Sequence, residues 1–556
     1  MAASTSFTST SGAEAPAAIA PKGATRSAAP PVAKLGPVVT LSRSRLDALA
    51  AKYYPLFNHG GAVSAFSPDR HGAGYDVDLR TLTTRTRVPE TGEEVDVTGL
   101  LAVPRGLRGP LPLVSWQHGT VLSFDEVPSN LTRLADPAYV VTDEGDSLET
   151  LFNVHRLAGR GFALVAADYL GKGPLRHGRG EGYGVREATV TTCIDMLDAG
   201  VEALKSLGIT KSSLFLNGWS QGGLNTQWLH QALRRRGDAI TATATQSPYN
   251  NLNEALRFWA GHWAIPDEAT YPVVPIWTVL ALIVLLGSYR EYYRLPDLFS
   301  TAIKPRYQAL AENYWQTYRL DSAAIEAAAA AVAAAQAHAS VGDLFVEGFF
   351  ERFTSESNSR FRAHLGQNAA TFHTYDAPIR FYYGLAYEAL HPSLMYGALS
   401  CAGPTSSSVA VPRASHRETF LASLYGEGAE TGARPEASPG EGAGGAGGSA
   451  CAGAFKFPQA ACGDCLDNDG DCRIDASDSQ CLGPCDNTED SYYGGIPGQN
   501  KAPCKMDCYF DQDTGAGNDD CYWSHKCDPL EKAPGYTPEG SQCAYDAKAN
   551  ISGTSM

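Results

Sequence analysis

Short apolar runs of strand length alternate with longer amphipathic stretches through most of the chain. Leu111–Gln117, Phe162–Asp168, Leu214–Asn217, Ile240–Gln246 and Ile379–Tyr383 read as strands. Val185–Leu207 and Gly223–Arg236 read as helices, the second stopped by Gly237. Strands alternating with helices predict an α/β domain, a largely parallel sheet flanked by helices. The alternation breaks between about residues 250 and 375. That span holds the apolar run Val273–Gly287 and the Ala-rich stretch Ser322–Ala339. Alanine is the best helix former, so the second is expected to be helical. An inserted helical cap is the economical reading. Val273–Gly287 contains Pro275 and falls short of the ~20 residues needed to cross a bilayer, so it reads as a buried or cap helix and no transmembrane span is expected.

Composition then sets the boundaries. Residues 1–40 are Ala/Ser/Thr/Pro-rich and are expected to be disordered. The α/β domain occupies 41–426. Residues 427–450 are rich in Gly, Ala, Pro and Glu and read as a flexible linker. Residues 451–556 form a cysteine-rich acidic module, expected to be small, loop-rich and disulfide-stapled. The formal charge is −16, and the tail from Cys451 carries 18 Asp+Glu against 7 Lys+Arg. Such a balance argues against nucleic acid as a partner. Of 13 cysteines only Cys193 and Cys401 precede residue 450. A domain almost without cysteine joined to a cysteine-dense module points to an oxidising compartment, secreted or at the cell surface. The tail's odd count leaves one cysteine free or paired elsewhere, with Cys401 a candidate. No apolar signal core lies in residues 1–31. Either a signal is missing from this sequence, or export is unconventional, or the tail binds metal.

The chemistry is carried by Gly218-Trp219-Ser220-Gln221-Gly222, between a strand and a helix. G-x-S-x-G in that context is a nucleophile elbow. The serine sits on a sharp backbone turn, and the flanking positions approach too closely for side chains. The backbone N–H of Gln221 is then one oxyanion donor. A second donor is expected from His118-Gly119-Thr120, after an early strand, from either Gly119 or Thr120. On this scaffold the acid and then the histidine follow the serine in chain order. The late strand is followed by Leu385-Ala386-Tyr387-Glu388-Ala389-Leu390-His391, and Ser415-His416 precedes a closing helix. His391 lies too near the acid loop to reach Ser220 independently, so His416 is the candidate base.

These residues resemble the α/β-hydrolase serine esterases of the secretory-lipase (lipase A-like) group. The resemblance rests on Trp116-Gln117-His118-Gly119-Thr120, Asp168-Tyr169-Leu170-Gly171-Lys172-Gly173, the Gly218–Gly222 elbow, Ser415-His416 and the cap placed before the acid loop. It covers roughly residues 45–426 and implies hydrolysis of small-molecule or lipid carboxylic esters by Ser220 and His416, with no cofactor for catalysis. The chain departs from the group's late loop, which usually carries Asp followed by Glu. Here Tyr387 stands first and only Glu388 remains. Three readings follow: Glu388 replaces the triad acid, a carboxylate from a neighbouring loop does so, or the site is crippled.

In the tail, Asp467, Asp469, Asp471, Asp475 and Asp478 have the spacing of a calcium loop, although Cys472 stands where an EF-hand prefers glycine. A solvated acidic loop, or zinc at Cys462 and Cys465, are the rivals. The expectation is a serine esterase or lipase with Ca²⁺ in its tail. Its alternative is a degenerate hydrolase domain acting as an extracellular calcium-dependent binding protein. A peptidase or acyltransferase on the same scaffold is a third reading, and oligomeric state is left open.

Overall fold

A computed structural model describes residues 33–426, apart from 137–147, 177, 261–274, 334–340, 342–343, 351–358, 372, 393, 396–398, 400–401 and 404, together with 522–523 and 554–555. The linker, nearly all of the cysteine-rich module and the Asp467–Asp478 loop lie outside the described residues. So the disulfide, calcium and export expectations rest on sequence alone.

Among the described residues, ten strands form one mixed sheet. β1 (Lys34–Leu35) and β2 (Val39–Leu41) pair antiparallel with β3 (Val77–Arg87). β3 runs antiparallel to β4 (Glu94–Pro104), which runs antiparallel to β6 (Ala163–Ala167). From β6 the sheet is parallel through β5 (Gly109–Gln117), β7 (Ile209–Trp219), β8 (Ala242–Gln246), β9 (Ile379–Gly384) and β10 (Ser406–Val411). β5 to β9 match the strands expected from the apolar runs; β10, a largely exposed Ser-rich edge strand, was not among them. The antiparallel half was not legible there, because β3 buries Thr84 and Thr86 at inward positions where an apolar residue would mark the period. β1 and β2 also extend the fold into the stretch expected to be disordered: their backbone groups find partners on β3, and Ala33, Leu35, Val39 and Leu41 pack on the cores.

Each face of the sheet is covered. Leu111 and Leu113 of β5 enter one core, Val114 and Trp116 the other. Strands buried on both faces are apolar throughout, which is why these read so clearly in sequence. Helices Arg186–Ser206 and Gln221–Arg236 cover the first face. Helices Arg43–Phe57, Glu149–Arg156 and His416–Tyr425 cover the second.

The interruption in the alternation is helical, with helices Leu252–Trp259, Trp277–Tyr292, Pro305–Thr317 and Ser322–Ala333. Trp277–Tyr292 has Val279 to Leu286 all buried and joins the first core. A helix apolar all round is one wrapped by protein. Among the described residues no helix is long and apolar enough to cross a membrane. The chain reversals leave the C-terminal ends of β5, β7, β8 and β9 at one edge of the sheet, where open α/β sheets place their ligands.

Candidate active site

Ser220 ends β7 and begins the next helix at φ 60°, ψ −123°. A non-glycine residue there is strained and persists only because its surroundings fix it. Its N–H donates to the Gln246 carbonyl of β8 (2.8 Å), and its own carbonyl accepts the Gly223 N–H (2.9 Å). A Cβ on Gly218 would run into the Gly222 carbonyl and Thr226 Oγ1, and one on Gly222 into the Gln117 carbonyl. The glycines are thus required by close approach, as the elbow motif demands. Gln221 opens the helix, where first-turn N–H groups have no intrahelical acceptor.

His416 is the first residue of its helix, whose start is fixed by a capping box between Ser415 and Glu418. Trp219, next to Ser220, donates its indole N–H to the His416 carbonyl (3.1 Å), and the two rings lie 4.6 Å apart. The histidine chosen from sequence is therefore docked on the elbow's own side chain. Tyr387 also stacks on the imidazole, centroids 4.7 Å apart and planes 6° apart, and its hydroxyl donates to the Ser247 carbonyl (3.2 Å). The imidazole Nδ1 is buried and has no hydrogen-bond partner among the described residues. Nor does a hydrogen bond join Ser220 Oγ to the ring there. Burial, aided by the Arg417 charge, pushes the imidazole down to about 3, so the resting ring is neutral near pH 7.

Glu388 reaches the histidine, though not at its ring. Its Oε2 accepts the His416 backbone N–H at 2.8 Å. Burial raises its carboxyl above the usual range, while that hydrogen bond opposes the shift. Glu388 also borders a cavity of about 480 Å³. Leu122, Trp277, Leu280, Leu320, Ile325 and Ala328 form its apolar wall, and Arg413, Ser415, Arg417 and Glu418 its polar one. Trp277 ties this cavity to the site, stacked 6.0 Å from His416.

The two oxyanion candidates in the early turn separate clearly. The Gly119 N–H donates to Oε2 of Glu149 at 2.6 Å and is therefore occupied. No hydrogen bond takes the Thr120 N–H among the described residues; its side chain exchanges a hydrogen bond with the Tyr183 hydroxyl (2.7 Å). Glu149 was not singled out from sequence, since only the fold brings it to a turn 30 residues earlier. Glu181 was also missed. This buried carboxylate lies 2.9 Å from Lys172 Nζ and accepts from Gln221 Nε2 (2.6 Å) and from the Tyr318 hydroxyl (2.6 Å). It joins the elbow to the end of a cap helix. Asp168, in the loop quoted above, is spent structurally on Thr98 and Ser129.

These buried groups set the pH response of stability. Burial holds His416 at about 3 and His155 at about 4, below the unfolded value near 6.5. As pH falls the unfolded chain protonates first, so stability is lost from about 6.5 downward. Glu149 has the opposite sign: burial lifts it to about 8. The unfolded chain releases that proton near 4.5, so stability is lost as pH rises from there toward 8. Glu149→Gln is expected to remove the alkaline part, an effect on the order of 1–3 kcal/mol. Thermal unfolding from pH 6 to 8.5 checks this; equal declines in wild type and variant contradict it.

No protein-family model matches the chain, and no curated protein matches it. Solved structures do. The chain is similar to a putative hydrolase from Legionella pneumophila, with 19% identity, 72% of this chain and 99% of that chain covered, and a TM-score of 0.58. It is also similar to the rice cell wall degrading esterase LipA from Xanthomonas oryzae, with 19% identity, 70% and 94% covered, and a TM-score of 0.55. Candida antarctica lipase A aligns more weakly, at 13% identity over 61% of this chain and 73% of that chain, with a TM-score of 0.44. The first two likenesses show that the chain shares the fold of these two proteins, here a mixed sheet covered by helices on both faces.

Proposed function

We propose that the protein is a serine hydrolase that cleaves carboxylic esters through an acyl-enzyme on Ser220. The observation that carries the proposal is Ser220 itself, held at φ 60° between two glycines with His416 docked against the neighbouring Trp219. The neutral imidazole takes the Ser220 proton as the hydroxyl oxygen attacks the ester carbonyl. The oxyanion is met by the N–H groups of Gln221 and Thr120. His416 then gives its proton to the leaving alcohol. Water, deprotonated by the same imidazole, attacks the acyl-enzyme and frees the acid. The apolar wall of the adjoining cavity suits an aliphatic or aromatic group of the ester.

Glu388 is the proposed triad acid. Its carboxylate is already anchored on the His416 backbone N–H, in the residue whose ring Nδ1 has no hydrogen-bond partner among the described residues. Catalytic hydrogen bonds commonly shorten only once substrate is bound. Forming imidazolium next to this carboxylate compensates two charges that are each disfavoured alone by burial.

The test is labelling of the full chain with a fluorophosphonate probe, followed by peptide mapping. A single adduct on Ser220, absent in Ser220→Ala, is the expected result. A properly folded wild type that does not label overturns the enzyme reading in favour of a degenerate binding domain. For the acidic tail loop the proposal is Ca²⁺ binding at Asp467, Asp469, Asp471, Asp475 and Asp478. Calorimetric titration of the full chain with Ca²⁺ checks it: heat lost on replacing Asp469 and Asp471 supports the site, and no heat overturns it.

A further inference from the structure

We propose that Glu149 is the positioning residue of the oxyanion hole: it holds the Gly119 N–H so that the Thr120 N–H, together with that of Gln221, faces the reacting carbonyl. The inference rests on the ester-hydrolase reading above.

Glu149 is fully buried in the first turn of the helix Glu149–Arg156. Oε2 accepts the Gly119 N–H at 2.6 Å, and Oε1 lies 3.4 Å from the indole nitrogen of Trp116. Both donors belong to the end of β5 and its turn. The turn is packed against both the carboxyl and the elbow: a Cβ on Gly119 would stand 3.0 Å from the Trp219 carbonyl oxygen and 3.1 Å from Glu149 Oε2. Thr120 is held through its hydroxyl on Tyr183, which in turn accepts from the Tyr249 hydroxyl (2.7 Å).

A buried polar chain extends this grip to the nucleophile. The Glu149 carbonyl accepts from Asn153 Nδ2 (3.0 Å), Asn153 Oδ1 from Asn217 Nδ2 (3.0 Å), and Asn217 Oδ1 from Gln246 Nε2 (2.8 Å). The Gln246 carbonyl accepts the Ser220 N–H (2.8 Å). One continuous frame therefore joins the peptide of the nucleophile to the residue that sets the oxyanion turn. Preorganised donors stabilise a transition state because they need not reorganise when charge develops. Burying a carboxyl without a cationic side chain bonded to it costs stability, and carboxyls with strongly perturbed proton affinity gather at functional sites. Its raised proton affinity fits the same geometry: a neutral acid accepts the Gly119 N–H through one oxygen just as an amide does.

The test compares Glu149→Gln, Glu149→Asp and Glu149→Leu in the full chain, measuring kcat and KM on a p-nitrophenyl ester and affinity for an arylboronic acid. Gln keeps the reach and an acceptor oxygen; Asp keeps the carboxyl but is one methylene short; Leu removes the acceptor. Glu149→Gln is expected to stay within about tenfold of wild type. Asp and Leu are expected to lose about 10²–10³ in kcat with KM changed by less than about threefold, and boronate affinity should fall in parallel. If the Leu variant does not fold, the Gln and Asp pair decides the question. Wild-type kcat in Asp, or a Gln variant as slow as Asp, overturns the assignment while leaving the esterase intact. A wild type inactive on esters overturns both.

Discussion

Alanine at Ser220 is expected to lower kcat on an ester by about 10⁶, leaving only the acceleration supplied by binding and the oxyanion donors. The size follows from the loss of the nucleophile itself. The cavity and the Gln221 and Thr120 N–H groups stay in place, so KM should change little. His416→Ala is expected to cost a comparable factor, and the double variant no more than either single one, because the two groups act as a unit. Steady-state kinetics normalised by active-site titration of the wild type provides the measurement. A Ser220→Ala protein that keeps more than about one per cent of wild-type turnover would mean that another nucleophile carries the reaction.

The second large effect is expected at Glu388. If its carboxylate orients and charge-balances His416, Glu388→Ala should lose about 10⁴ in kcat. Two jobs must be separated, since Oε2 also holds the His416 backbone N–H. Glu388→Gln retains an acceptor for that N–H but has no charge. A loss in Gln nearly as deep as in Ala assigns the effect to the carboxylate; a near-wild-type Gln variant assigns it to the position of the histidine backbone. Tyr387→Asp placed in the Glu388→Ala background supplies the independent arm. The Tyr387 ring already covers the imidazole, so a carboxylate on that backbone position starts beside the base. Recovery of at least tenfold is expected, against a stability loss from replacing a buried tyrosine, on the order of 3–5 kcal/mol. Full activity in Glu388→Ala alone excludes Glu388 as the acid and moves the search to other loops.

Much of the scaffold could be read along the chain, for a physical reason. β6 and the inner stretches of β5 and β7 are buried and carry near-continuous apolar runs, and the helices packed on them show their period. The elbow was legible because its spacing is local: a Cβ on Gly218 would meet the Gly222 carbonyl four residues on, although Gly222 itself is held bare by the distant Gln117 carbonyl. The helix start at Ser415-His416 was legible through its capping box for the same local reason. β3 and β4 were not, since their pairing is the antiparallel half of the sheet and two inward positions of β3 are threonines.

The site shows the same division. The amino-acid sequence by itself determined which serine sits on the strained turn, which histidine follows in chain order and that the usual acid position holds Tyr387. Those follow from local steric needs and residue identity. Only the tertiary structure decided that Tyr387 stacks on His416 instead of bonding its nitrogen, that Glu388 grips the histidine by its backbone, and that the Gly119 N–H is taken by Glu149. Each of these is a contact between segments separated by about thirty residues, made through side-chain atoms whose partners are set by how β5, β9 and two helices pack. Hydrogen bonds of that kind leave no periodic trace along the chain, because one donor and one acceptor satisfy them whatever the residues between.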